Sequence, residues 1–156
     1  MRALRRTNDA QALEAEVLQA LVQGSRLAET ERIPPPFCIY CGFAAEASDH
    51  VIPVSRQTVG RRLAQGPFVP ACFLCNTIIL NRRLFPTFRN RLAFVGGWYE
   101  RRLKGRSAGD LWSNEEIAEL GYGLKTAVLS ATQRYQSMQT RLWWNSRLLS
   151  VLSRNS

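Results

Sequence analysis

Three segments between residues 38 and 76 decide how this chain folds: CIYCG at 38–42, DHVIPVS at 49–55 and VPACFLCN at 69–76. Cys38 with Cys41, and Cys72 with Cys75, form two C-x-x-C pairs separated by 30 residues, and they account for all 4 cysteines of the chain. A C-x-x-C pair offers two thiolates from one tight turn, and two such pairs complete the tetrahedral shell of a Zn2+ ion. Four sulfurs leave no open position for a substrate, so this zinc is expected to be structural. No apolar h-region follows the arginines of MRALRRTNDA. The start therefore does not read as a secretory signal, and the expected compartment is the cytoplasm. There the thiols stay reduced and serve as metal ligands rather than disulfides.

Outward from this core the chain reads as helices. IPPPF at 33–37 is a stiff, extended approach to the first pair, because each proline fixes its own φ and restricts its predecessor. Before it, Leu13, Val17 and Leu21 repeat at helical spacing. That first helix is expected to be capped by Asn8 or Asp9 and to stop at Gly24. A short strand is expected over Asp49–Val54, then a basic loop over Ser55–Pro67, an approach at Phe68–Ala71 and an apolar helical run over Asn76–Leu84. Thr87 caps a further helix to about Lys104, with Phe88, Leu92, Val95 and Tyr99 as its buried stripe and Arg89, Arg91, Arg101 and Arg102 on its flanks. Gly96 and Gly97 either weaken that helix or let something approach it closely. Beyond a linker at Gly105–Asp110, Ser113 and Glu116 form a capping-box pattern. A long helix from about Leu124 carries Leu124, Val128, Tyr135, Met138 and Leu142 on its core face. The fold class is thus α+β, mostly α: a zinc-stapled ββα unit over 33–85, an N-terminal helix and arm over 1–32, and a helical extension over 86–156, forming a single domain.

Charge is concentrated. Residues 55–106 hold eleven basic side chains and one acid, Glu100, for a net of +10, whereas the rest of the chain is −1 and the whole +9. One contiguous basic third points to a polyanionic partner, most simply nucleic acid. Arg56, Arg61, Arg62, Arg82, Arg83, Arg89 and Arg91 are the expected phosphate contacts. No apolar run approaches the roughly 20 residues that span a bilayer, so no membrane role is expected. The aromatic tail Leu142–Leu152 offers a surface for a protein partner.

Asp49, the single histidine His50, and Asn76 are brought into one small unit when the two pairs close on a metal. Asp49 and Asn76 are hard oxygen donors suited to Mg2+ or Mn2+. An imidazole such as that of His50 beside them is a group type that takes a proton from water near neutral pH. In this order the residues resemble the HNH endonuclease family, in its zinc-knuckle-framed ββα-metal form, over Phe37 to about Arg83. The segments after Cys75 are more loosely similar to small phage-encoded proteins of that type, which would place the chain in a host cytoplasm. The resemblance implies metal-dependent cleavage or nicking of DNA, with His50 as general base, Asp49 and Asn76 as ligands of the catalytic divalent ion, and the four cysteines as structural zinc ligands. Two positions depart from the family pattern. The asparagine usual before the second pair is absent, with Pro67 in its place and Gln65 the nearest amide, and a lysine common after Cys-Asn is Ile79. These departures keep a second expectation open: a catalytically inactive zinc module that binds nucleic acid or docks on protein.

Overall fold

A computed structural model describes residues 2–51, 67–105 and 112–155, with the backbone alone for residues 2–10. The architecture is α+β and mostly helical, with one two-stranded antiparallel sheet. Helix α1 spans Arg2–Glu31, strand β1 Ala47–His50, strand β2 Phe68–Ala71, helix α2 Phe88–Leu103, the short helix α3 Asn114–Ala118 and helix α4 Tyr122–Arg154. Between β2 and α2 lies a π-helical segment, Leu74–Leu80. Strand, strand and helical segment follow one another in the ββα order expected from the sequence.

Helix α1 does not stop at Gly24, nor does it begin at Asn8 or Asp9. Gly24 is buried in mid-helix, where an added Cβ would lie 2.7 Å from the Cδ1 of Ile39. The glycine therefore permits close approach of the first cysteine turn. The helix ends instead where Arg32 turns left-handed at φ 56° and the Ile33 N–H donates to the Ala28 carbonyl at 2.8 Å, a Schellman-type closure without the usual glycine. The strand expected from Asp49 begins two residues earlier, at Ala47, and pairs Ala47 with Ala71 through to His50 with Phe68. It ends at His50, short of Val51, and residues 52–66, with the end of the expected strand and the basic loop bearing Arg56, Arg61 and Arg62, lie outside the described residues.

Helix α2 follows its sequence pattern closely. Thr87 accepts a hydrogen bond from the Asn90 N–H, and Phe88, Leu92, Val95 and Tyr99 are all fully buried. Gly96 is the close-approach point anticipated: an added Cβ would sit 2.3 Å from Oδ1 of Asn145 on α4. The Ser113–Glu116 capping box forms with both of its hydrogen bonds. On α4, Tyr135 is buried but Leu124 is exposed, so the core face begins later than the expected stripe. The aromatic tail is largely core: Trp144, Leu148 and Leu152 are buried against α2 and the cysteine turns, while Trp143 remains exposed. No helix among the described residues is long and apolar enough to cross a membrane.

Candidate metal centre

Cys38 and Cys41 lie on a hairpin turn. The Cys38 N–H donates to the Phe43 carbonyl at 2.6 Å and the Gly42 N–H to the Cys38 carbonyl at 2.8 Å. Gly42 is required twice over: its φ is +75°, and an added Cβ would meet the Trp144 ring at 2.7 Å. Cys72 and Cys75 come from the junction of β2 with the π-helical segment, where the Cys75 N–H points at the Cys72 sulfur at 3.5 Å. The four sulfurs are buried and lie within 4.8 Å of one another. Those of Cys41 and Cys72 are 3.7 Å apart, far beyond the roughly 2.05 Å of a disulfide. Ligands at about 2.3 Å from a tetrahedral ion stand about 3.8 Å from each other. Donor set, spacing and burial therefore all suit a bound metal ion.

Electrostatics point the same way. Burial, followed by contact with Cys41 and Cys72, pushes the Cys38 thiol well up, and hydrogen bonds to Cys38, Cys41 and Cys72 together with burial push Cys75 up further. Cys72 is held low because Cys38, Cys41 and Cys75 donate to it. Four thiolates cannot coexist here without countercharge; some must keep protons on behalf of the others. A divalent cation supplies that countercharge.

Two side chains that the sequence did not assign to the metal centre complete the surroundings. Arg141 on α4 directs Nη1 at the sulfurs of Cys41, at 3.0 Å, and Cys72, at 3.4 Å. Its guanidinium stacks 3.9 Å from the centroid of the Phe43 ring. The Tyr99 hydroxyl lies 3.4 Å from the Cys75 sulfur. Helix α4 also grips the first turn directly: Trp144 Nε1 donates to the Ile39 carbonyl at 2.9 Å, and Asn145 Nδ2 to the carbonyls of Tyr40 and Leu92, both at 3.0 Å. Nothing local to the cysteine pairs could have identified residues so far along the chain.

The oxygen half of the expected site is arranged differently. Asp49 is buried, and its carboxylate accepts hydrogen bonds from Arg91 Nη2 at 2.8 and 3.0 Å, from Arg91 Nε at 3.2 Å and from the Tyr40 hydroxyl at 2.5 Å. Arg91 is itself 1% exposed and also donates to the Arg83 carbonyl at 3.0 Å. Burial opposes its charge, but Tyr40 and Asp49 more than restore it, and its pKa is raised. Arg91 is therefore a core residue rather than the expected phosphate contact. Arg89 turns inward as well: its Nη2 donates to the Leu152 carbonyl near the end of α4 at 2.5 Å. Both oxygens of Asp49 are thus engaged by Arg91 and Tyr40. Asn76 is half-buried at the start of the π-helical segment, its N–H on the Cys72 carbonyl at 3.0 Å. His50 ends β1 with its ring edge-on to Phe68 at 5.2 Å, and its buried Nδ1 has no partner among the described residues.

Of the described arginines in the basic stretch 55–106, Arg82, Arg83, Arg101 and Arg102 face outward. No known family model, curated protein or solved structure matches this chain.

Proposed function

We propose that this chain is an HNH-type DNA-binding protein: a ββα unit stapled by a structural Zn2+ on Cys38, Cys41, Cys72 and Cys75, which rests its arginine-rich surface on the phosphate backbone. The observation that carries the reading is the order of parts. A cysteine turn, a strand ending in Asp49-His50, a paired strand and a cysteine turn that opens a helical segment follow in sequence, and exposed arginines come next along the chain. Zinc suits the site because four thiolates in a closed tetrahedral shell are its structural coordination. Binding is expected to be driven by phosphate neutralisation and to weaken steeply with salt. An electrophoretic mobility shift with linear DNA at 50–200 mM salt tests it; no retention at the lowest salt would sink the proposal.

A hydrolytic reading is favoured by one observation, the buried Nδ1 of His50 that no described residue satisfies. In it His50 takes the proton of an attacking water. Asp49 meanwhile stays bound to Arg91 and Tyr40. Supercoiled plasmid incubated with the protein in Mg2+ or Mn2+ is the test: on this reading nicks accumulate, and His50→Ala abolishes them. If the parent protein binds DNA and leaves the plasmid intact under both ions, hydrolysis is dropped and the binding reading stands.

A further inference from the structure

Arg83 stacks on the Phe94 ring at 5.0 Å and Arg102 on the Trp98 ring at 4.4 Å. Phe94, Trp98, Arg101 and Arg102 are spaced i, i+4, i+7 and i+8, so they share one flank of α2. Both rings are half-buried, while Arg82, Arg83, Arg101 and Arg102 are exposed. None of these four guanidiniums has a carboxylate partner among the described residues; the ion pair in the vicinity, Arg91 with Asp49, is internal. Arg83 reaches the flank from the turn after the π-helical segment, where Asn81 and Arg82 both adopt positive φ.

From this we infer that the α2 flank is a stacking platform for single-stranded nucleic acid, which deepens the DNA-binding reading above and rests on it. Each guanidinium lies over a ring, and both arginines are exposed. An exposed guanidinium beside a ring can stack on a nucleobase while its N–H groups reach phosphate oxygens. Duplex geometry excludes the same use. The two rings that carry these guanidiniums, Phe94 and Trp98, are four residues apart on α2 and so about 6 Å apart along its axis. Bases in a duplex are stacked about 3.4 Å apart along each strand, with their faces covered by one another. Only unstacked bases, on a strand drawn out along the flank, can meet both platforms. Charge agrees with this occupant: four unpaired arginines face a polyanion, with Glu100 the sole acid in residues 55–106.

The test uses the full chain loaded with Zn2+, fluorescence anisotropy, and two labelled probes, oligothymidylate and a blunt mixed-sequence duplex of equal length. The parent protein should bind the single strand at least tenfold more tightly than the duplex at equal salt. Arg83→Lys with Arg102→Lys keeps both charges and removes both planar faces, and it should lose that preference. Arg134→Gln with Arg147→Gln, which removes two charges on α4, should weaken both probes alike and preserve the preference. The inference is overturned if the duplex binds as tightly as the single strand, or if the double lysine variant matches the parent. In either case the DNA-binding reading still stands. Failure of both probes to bind removes the two together.

Discussion

The two halves of the ββα unit differ in how completely they are built. On the sulfur half every ligand is buried, the backbone turns are hydrogen-bonded, and Arg141 and Tyr99 reach in from other helices to touch the sulfurs. On the oxygen half, carried by strand β1, Asp49 is consumed by Arg91 and Tyr40, and His50 keeps a nitrogen without a partner among the described residues. The same short unit thus holds one site finished to its outer shell and one whose central carboxylate has become a core group. Surroundings, rather than the donor residues themselves, separate a metal site from a structural pair.

The largest test of this contrast is removal of one sulfur. Structural zinc contributes on the order of 10 kcal/mol in small domains, as much as the entire net stability of an ordinary one. Cys75→Ser is therefore expected to leave the chain without cooperative unfolding and without stoichiometric zinc, read by circular dichroism and elemental analysis. A variant that melts like the parent would remove the sulfur half from the metal centre.

A smaller but still severe effect is expected from Arg91→Ala. It strands a buried carboxylate, and breaking a buried pair from one side costs about 3–5 kcal/mol, measurable as a lower midpoint in urea. Asp49→Ala should cost a similar amount because it strands the guanidinium instead. A divalent-ion ligand would behave otherwise, with Asp49→Ala leaving stability nearly unchanged in the absence of added ions. The two variants together thus tell a core pair from a hidden catalytic ligand.

The mildest change sharpens the sulfur half alone. Arg141→Gln removes the cation beside Cys41 and Cys72 and should weaken metal binding about ten- to a hundredfold, read by competition with a chromophoric chelator. The folded, metal-loaded protein should be otherwise intact. If affinity is unchanged, the guanidinium is only packing on Phe43.

What could be read in advance was what depends on neighbours in sequence. The stripe Phe88, Leu92, Val95, Tyr99 and the Ser113–Glu116 box are statements about one helix turn, and both hold. The cluster of four cysteines was equally legible, since each C-x-x-C pair is a local turn. Gly24 misled because the reason for it, the side chain of Ile39, comes from another element. Arg91 misled in the same way: a charge on a helix flank looks solvated until an aspartate 42 positions earlier is found facing it. Arg141 lies 100 residues from Cys41, and no periodicity or motif connects them.

The order in which the chain is synthesised gives that last separation a consequence. The fourth sulfur ligand, Cys75, is made 66 residues before Arg141, and Trp144 and Asn145, which close over the first cysteine turn, follow still later. At about 5–20 residues per second, translation leaves roughly 3–13 s between the two. For that interval the nascent chain carries four thiols without the helix that buries them. Capture of the metal during synthesis would protect them from oxidation before their cover arrives.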